Sequence, residues 1–333
     1  MTWLITSDIH LSDRPKDEYR FGLFPWLAKK QEKLDVQATF ILGDITENKD
    51  KHSSILVNKI VDSLKRLRPP VFILRGNHDG NNPDCPFFRF LSSIDGLRFI
   101  VKPCFNKEYA IAFIPHCRTQ AEFDEACKII PAKCAGVMLH NTFERAIAES
   151  GVQLSGLSAS LATFKGAAGV WAGDVHKPQR SGPITYVGSP YHVKFGDRFI
   201  PRVLVVSDTG SQDLHFPAPR KWARVVQDPD DVEALFNDKI LREGDQIKLT
   251  CALTREEVVE WPEFRRKLLE RCRYFKLEVF GVTLKVLQSA KRNDVKTSER
   301  TLLEKAEVFD AYCKQEKIPS AQREAGRIIL TEK

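Results

Sequence analysis

Leu74-Arg75-Gly76-Asn77-His78-Asp79 closes an apolar run, Val71 to Leu74 (VFIL), that begins behind Pro69-Pro70. Apolar residues confined between a proline pair and a glycine read as a short, buried β-strand. The glycine turn then delivers Asn77, His78 and Asp79 to one point. Three polar side chains gathered at a strand end are costly unless something binds there. The arrangement recurs along the chain. Trp3 to Ser7 ends at Asp8-Ile9-His10, and Ala38 to Leu42 ends at Gly43-Asp44. Ala135 to Leu139 ends at His140, and Gly169 to Ala172 ends at Gly173-Asp174-Val175-His176.

Helical patterns separate these runs. Leu56, Ile60, Leu64 and Leu67 stand at helical spacing within Ser53 to Leu67, with Lys59, Lys65 and Arg66 on the other face. Glu18 to Lys33 predicts a helix kinked at Gly22 and Pro25, Pro86 to Ile94 a short Phe-rich helix, and Gln120 to Ile130 a further helix. Tyr109 to Pro115, Ile184 to Val187 and Arg202 to Ser207 are further strands. Strands alternating with helices, with polar groups at the strand ends, predict an α/β domain over residues 1–215 whose site lies on one sheet rim. The composition shifts near Phe216-Pro217-Ala218-Pro219. Residues 216–290 predict a small α+β cap, with strands at Trp222 to Val226, Ile247 to Leu253 and Phe275 to Val279. Its helices are predicted at Asp231 to Asn237 and Trp261 to Arg271. Residues 291–333 complete a polar, basic linker and carry C-terminal helices at Ser298 to Gln315 and Ser320 to Leu330.

Hydrophobic residues make up 42% of the 333 and charged residues 29%, which excludes a disordered chain. A net charge of +7 favours polyanionic partners. None of the eight cysteines forms a Cys-x-x-Cys pair, so reduced thiols are expected rather than disulfides or structural zinc. The first residues (MTWLITSDIH) read as a strand rather than a signal peptide, and no apolar run approaches the roughly 20 residues that span a bilayer. A soluble cytoplasmic protein without a membrane partner is expected.

Asp8, His10, Asp44, Asn77, His140, Asp174 and His176 offer oxygen and imidazole-nitrogen donors without thiolate. That set suits Mn²⁺, Mg²⁺, Fe or Zn²⁺ and argues against copper or an iron–sulfur centre. Seven candidates exceed the needs of one ion. Two divalent ions roughly 3.5–4 Å apart, with one carboxylate bridging, would use them all.

Asp-x-His, Gly-Asp, Gly-Asn-His-Asp, a lone His after a strand and Gly-x-x-His, in this order over residues 8–176, resemble the calcineurin-like metallophosphoesterase superfamily. Gly173-Asp174-Val175-His176-Lys177-Pro178-Gln179, followed by Tyr186-Val187-Gly188-Ser189-Pro190, is similar to the SbcD-type DNA exonuclease branch. The resemblance implies a two-sheet α/β sandwich flanked by helices. It also implies one metal on Asp8, His10 and His176, a second on Asn77, His140 and Asp174, and Asp44 bridging. His78 would then sit over the scissile phosphate, and Asp79 would fix its ring. Asp174 departs from the family's usual His and favours the harder ions, Mn²⁺ first. The implied activity is phosphodiester hydrolysis of DNA as an exo- or endonuclease in repair, recombination or phage DNA metabolism. The alternatives are a phosphodiesterase or phosphatase on nucleotides or cyclic nucleotides, a protein phosphatase, or a non-catalytic DNA-binding scaffold.

Asn48, Lys177, Arg180, Ser189 and His192 are the candidate substrate contacts, with Glu47, Lys194 and Arg198 near them. Arg265, Arg266, Lys267, Arg271, Arg273 and Lys276 form a basic cluster that is either a solvated helix face or a phosphate-backbone contact. The Ser53–Leu67 helix and the Phe87–Leu91 cluster form either ordinary core or a homodimer face. The Ser298–Gln315 helix either packs on its own domain or docks an SbcC-type coiled-coil ATPase.

Overall fold

The computed structural model describes residues 1–287. The expected linker and the helices of residues 291–333 lie outside the described residues. β1 (Trp3–Thr6), β2 (Ala38–Ile41), β3 (Val71–Leu74) and β4 (Leu97–Ile100) run parallel to one another. A second sheet follows, made of β5 (Cys104–Asn106), β6 (Ile111–Ile114), β7 (Gly136–His140), β8 (Val170–Gly173), β9 (Gln179–Ser181) and β10 (Ile184–Tyr186). Its order is β5-β6-β7-β8-β10-β9. The chain then returns to the first sheet through β11 (Val203–Ser207) and β12 (Gly210–Leu214), giving the order β12-β11-β1-β2-β3-β4.

Each central strand is apolar throughout because both of its faces are covered. Trp3, Ile5, Phe40, Phe72 and Leu74 point between the sheets and meet Phe113, Met138 and Trp171 of the second sheet. The Phe40, Phe72 and Phe113 rings pack in sequence there, Phe72 at 5.3 Å from each of the other two. The alternate residues Leu4, Ile41, Val71 and Ile73 point outward. There they meet Leu23, Phe24 and Leu27 of α1 (Leu23–Lys33) and Leu56, Ile60 and Leu64 of α2 (Ser54–Leu64). Phe123 of α3 (Gln120–Cys127) covers the outer face of the second sheet. The result is a two-sheet α/β sandwich between helices, with the ligand candidates of β1, β2, β3, β7 and β8 at their C-terminal ends.

The kink expected in Glu18 to Lys33 is a junction. A 3₁₀ helix over Pro15–Gly22 passes into α1, and Pro25 falls in the first turn, where its missing N–H has no helical partner to lose. Pro86 to Ile94 likewise holds a 3₁₀ segment, Phe87–Ser93. Leu56, Ile60, Leu64, Phe88 and Leu91 are buried in the core, while Ile55 and Phe90 of the same segments are exposed.

β13 (Lys221–Val226), β14 (Gln246–Leu253) and β15 (Glu278–Val286) form a separate parallel sheet. With α4 (Asp231–Asn237) and α5 (Trp261–Tyr274) it encloses its own apolar cluster around Leu249, Leu268 and Cys272. The expected strand at Phe275 to Val279 is displaced. Helix α5 runs to Tyr274, Phe275 caps it and stacks on Phe236 at 4.5 Å, and pairing starts at Glu278. The basic cluster of this helix is largely ion-paired. Arg266 meets Glu263 and Glu270, Arg271 meets Asp230, and Lys276 meets Glu243. The seven described cysteines are free thiols. No described helix is long and apolar enough to cross a membrane.

Candidate metal centre

Where β1, β2 and β8 end, the backbone turns back sharply. Asp8 (φ 52°), His10 (φ 46°), Asp44 (φ 55°) and Asp174 (φ 80°) all adopt the left-handed region. Each such residue costs on the order of 1 kcal/mol or more and persists only where its surroundings over-determine it. Here they do. Asp8 N–H donates to Gly43 O (3.2 Å) and His10 N–H to Asp44 O (2.9 Å), lacing the first loop to the second. Ser189 Oγ donates to Asp8 O at 2.9 Å, and Ser7 Oγ donates to Asp8 Oδ2 at 2.6 Å. Gly76 leaves the room that this requires, since a Cβ there would lie 2.6 Å from Asp44 N and 2.9 Å from His140 Nε2.

These loops bring together all seven ligand candidates. One ligand atom each from Asp8, His10 and His176 lies within 4.8 Å of the others, and the same holds for Asp8, Asp44 and His140. His10 Nε2 faces His176 Nε2 at 3.1 Å. Asp44 looks both ways, with Oδ2 3.7 Å from His10 Nε2 and Oδ1 3.4 Å from His140 Nε2. Asn77 Oδ1 (3.3 Å) and Asp174 Oδ1 (3.8 Å) also approach His140 Nε2. Thr142 Oγ1 donates to Asp174 Oδ2 at 2.7 Å and holds that carboxylate toward the cluster.

The far side of the His140 imidazole is anchored, with Nδ1 on Leu42 O, whereas His10 Nδ1 and His176 Nδ1 approach Glu47 Oε2 (3.3 Å) and Glu149 Oε1 (3.4 Å) without hydrogen-bond alignment. An imidazole held by Nδ1–H against an oxygen keeps the Nε2 lone pair free for a cation. Burial pushes the Asp8 carboxyl up to about 7 despite the nearby His140. Burial works the same way on Asp44, but His140, His10 and His78 outweigh it and hold its carboxyl below the usual range. The His176 imidazole falls to about 3, through burial first and His10 second. Facing imidazole nitrogens and buried carboxylates, with no thiolate in either cluster, are a donor set that divalent cations satisfy. The residues therefore fit the metals.

The His78 N–H donates to Asp44 Oδ1 at 2.9 Å, and the ring stands edge-on to His10 at 5.1 Å. The ring is fixed by Nδ1 against Glu47 O at 2.9 Å, not by Asp79. That corrects the expected role of Asp79. Its fully buried carboxylate accepts the N–H groups of Asp44 (3.0 Å), Ile45 (2.9 Å) and Gly76 (2.7 Å) and ties the second metal loop to the third. Two of the five expected substrate contacts are structural. Ser189 is buried on the Asp8 carbonyl. His192 uses both ring nitrogens on backbone, Nε2 on Phe199 O (2.9 Å) and Nδ1 on Lys221 N–H (3.1 Å). Asn48 is exposed beyond the Asp44 loop, and Lys177 is half-buried outside the cavity lining. Arg180 is exposed on the edge strand β9, with Nε donating to Gly182 O at 3.3 Å. Lys194 does line the cavity, together with Glu149 and Thr142. Neither Glu149 nor Thr142 carries a sequence signal, because both stand in irregular chain after His140.

Residues 1–125 match the family model of the calcineurin-like phosphoesterase. None of the curated proteins matches the chain. Among similar solved structures is one of an archaeal phosphodiesterase, 14% identical, covering 65% of this chain and all of that one with a TM-score of 0.36. The matched segment carries Asp8, His10, Asp44 and the Gly76 turn, so these residues are similar to the calcineurin-like phosphoesterase, and the fold brings them together with His140 and His176 in buried carboxylate–imidazole clusters that suit a metal-dependent phosphoesterase.

Proposed function

We propose that this metallophosphoesterase hydrolyses phosphodiester bonds in DNA as an SbcD-type nuclease, with two divalent ions, Mn²⁺ foremost. The observation that carries the reading is Asp44, whose two oxygens face His10 on one side and His140 on the other. A carboxylate so placed is suited to bridge two ions. When bound, such ions supply positive charge to the phosphoryl oxygens and bring the pKa of water toward neutrality. Asp8 and His176 complete the donors on the His10 side, and Asn77 and Asp174 those on the His140 side. His78, anchored through Nδ1 on Glu47 O, lines the cavity, where its imidazole is placed to pass a proton to the departing oxygen. Lys194 adds a cation at the cavity wall.

A second reading, a phosphodiesterase of nucleotides or cyclic nucleotides, is favoured by the size of the metal-site cavity. At about 250 Å³ it is small for a ligand pocket and suits one phosphodiester with little around it. Labelled linear DNA, bis(p-nitrophenyl) phosphate and p-nitrophenyl phosphate, each incubated with the full chain and Mn²⁺, separate the readings. DNA cleavage that disappears in His78→Ala while Mn²⁺ binding persists supports the nuclease. Cleavage of the small diester alone supports the second reading, and cleavage of the monoester alone refutes both. A homodimer and an SbcC-type ATPase partner belong to the same proposal, and sedimentation of the full chain tests the first.

A further inference from the structure

Beside the metal-site cavity, and sharing Glu47, Val193 and Lys194 with it, lies a cleft of about 720 Å³ between the two-sheet sandwich and the three-stranded sheet. Its walls are cationic and aromatic. Arg14 comes from the loop after β1 and Lys16 from the 3₁₀ helix that follows it, Lys194 and Phe195 from the chain before β11, Lys248 from β14 and Phe280 from β15. The Phe195 and Phe280 rings stand 4.8 Å apart. Lys16 Nζ sits 4.2 Å over Phe280, and Lys248 Nζ sits 4.6 Å over Phe195.

The two carboxylates in the walls are already engaged. Asp17 is held by Arg20 (3.1 Å), Lys221 (3.0 Å) and Ser12 (3.0 Å), and Glu47 lies against His10. Among the described residues no carboxylate pairs with Arg14, Lys16, Lys194 or Lys248. An exposed ammonium over a ring is weakly held. A ligand offering both phosphates and flat aromatic faces can draw the lysines onto its phosphates and take their place on the rings.

We infer that this cleft holds the single-stranded end of a nucleic-acid substrate, bases on Phe195 and Phe280 and phosphates on Lys16, Lys248 and Lys194, as it runs to the metal site. The inference rests on the reading of that site as a nucleic-acid phosphodiesterase and adds the strandedness that reading leaves open. A duplex keeps its base faces stacked inside and would leave both phenyl rings unused. An acidic peptide would answer the lysines but not the paired rings. The chemistry that uses the whole wall is a charged backbone with unstacked bases, where stacking tolerates any sequence.

The test is binding of fluorescein-labelled oligothymidylate and of a labelled blunt duplex to the full chain in EDTA, read by anisotropy, so that turnover plays no part. The single strand should bind at least about tenfold tighter than the duplex, and Phe195→Ala and Phe280→Ala should each weaken it roughly 5- to 150-fold. Phe280→Tyr, which keeps a stacking face, should bind within about threefold of the parent. Lys16→Gln and Lys248→Gln should each reduce the salt slope of binding by about 0.7. Equal or tighter duplex binding overturns the inference. So do alanine variants that melt normally and bind the strand as the parent does. If an alanine variant does not fold, the tyrosine and lysine variants decide. Turnover of bis(p-nitrophenyl) phosphate with Mn²⁺ judges the phosphodiesterase reading separately. A chain that cleaves the diester without preferring single strands sinks the cleft alone, whereas one that binds the strand but cleaves nothing sinks the phosphodiesterase reading alone.

Discussion

Replacing Asp79 separates two roles that its sequence context leaves confounded. The carboxylate is fully buried, with Oδ2 on the N–H groups of Asp44 and Gly76 and Oδ1 on that of Ile45. Asp79→Ala orphans three buried donors at about 1–3 kcal/mol each, roughly 3–9 kcal/mol against a typical net stability of about 5–15 kcal/mol. Part of that loss is returned, because burial and the nearby Asp44 push the Asp79 carboxyl pKa up and its charge is itself a burden. Asp79→Asn keeps two of the three bonds if its amide oxygen takes the Oδ2 position. One donor then faces Ile45 N–H, which costs about 1–3 kcal/mol. At about 2–4 °C per kcal/mol for a domain of this class, that is a fall in Tm of roughly 2–12 °C. Thermal melts in EDTA should therefore rank the parent above Asn and Asn above Ala. Calorimetric Mn²⁺ titration should show weaker binding in the same order, because Asp44 loses its tether. If both variants melt within a degree of the parent, keep their Mn²⁺ affinity and lose only turnover, Asp79 acts on His78 and the cross-tie argument is wrong.

Glu47→Gln and Glu149→Gln should each weaken Mn²⁺ binding roughly 10- to 100-fold, since each carboxylate lies within 3.4 Å of the Nδ1 edge of an inward-facing imidazole and its charge raises that ring's basicity. Parent-like titration curves would refute that. Asp17 governs acid stability at the seam of the two sheet systems. Burial raises its pKa, but Arg20 and Lys221 outweigh burial and hold it below its ordinary 3.8. A depressed carboxylate stabilises the fold in full above its unfolded pKa, and that contribution fades as pH falls through the folded value. Asp17→Asn should therefore lower Tm near neutrality, and its gap to the parent should narrow only below about pH 4, as pH passes through the depressed value. A gap constant down to pH 3 would contradict the assignment.

Legibility in the sequence followed burial. The central strands β1, β2, β3, β7 and β8 are covered on both faces and stand out as apolar runs. The four strands that the pattern did not mark, β4, β5, β9 and β12, are the four edges of the two sheets. Edges are short and largely exposed, so even where one alternates, as β4 does over its four residues, the pattern is too brief to stand out from the surrounding loops. The displaced strand near Phe275 has a related cause. Phe275 and Leu277 satisfy a helix cap and a strand start equally well in composition, and only the packing of Phe275 on Phe236 decides between them.

By itself the chain determined which side chains stand at strand ends, because an apolar run that meets Gly, Asp or a lone His gives up its buried face there and turns. Asp8, His10, Asp44, Asn77, His78, His140, Asp174 and His176 were all readable on that ground. Tertiary structure alone decided what each of them touches. Asp79 finds backbone N–H groups because β2 and β3 pair in parallel and set their loops side by side. Glu47 and Glu149 reach imidazoles far away in sequence, and His192 turns to the backbone on both sides. Hydrogen bonds and coordination depend on separations of a few ångströms, and those are set by how distant segments pack rather than by the order of residues along any one of them.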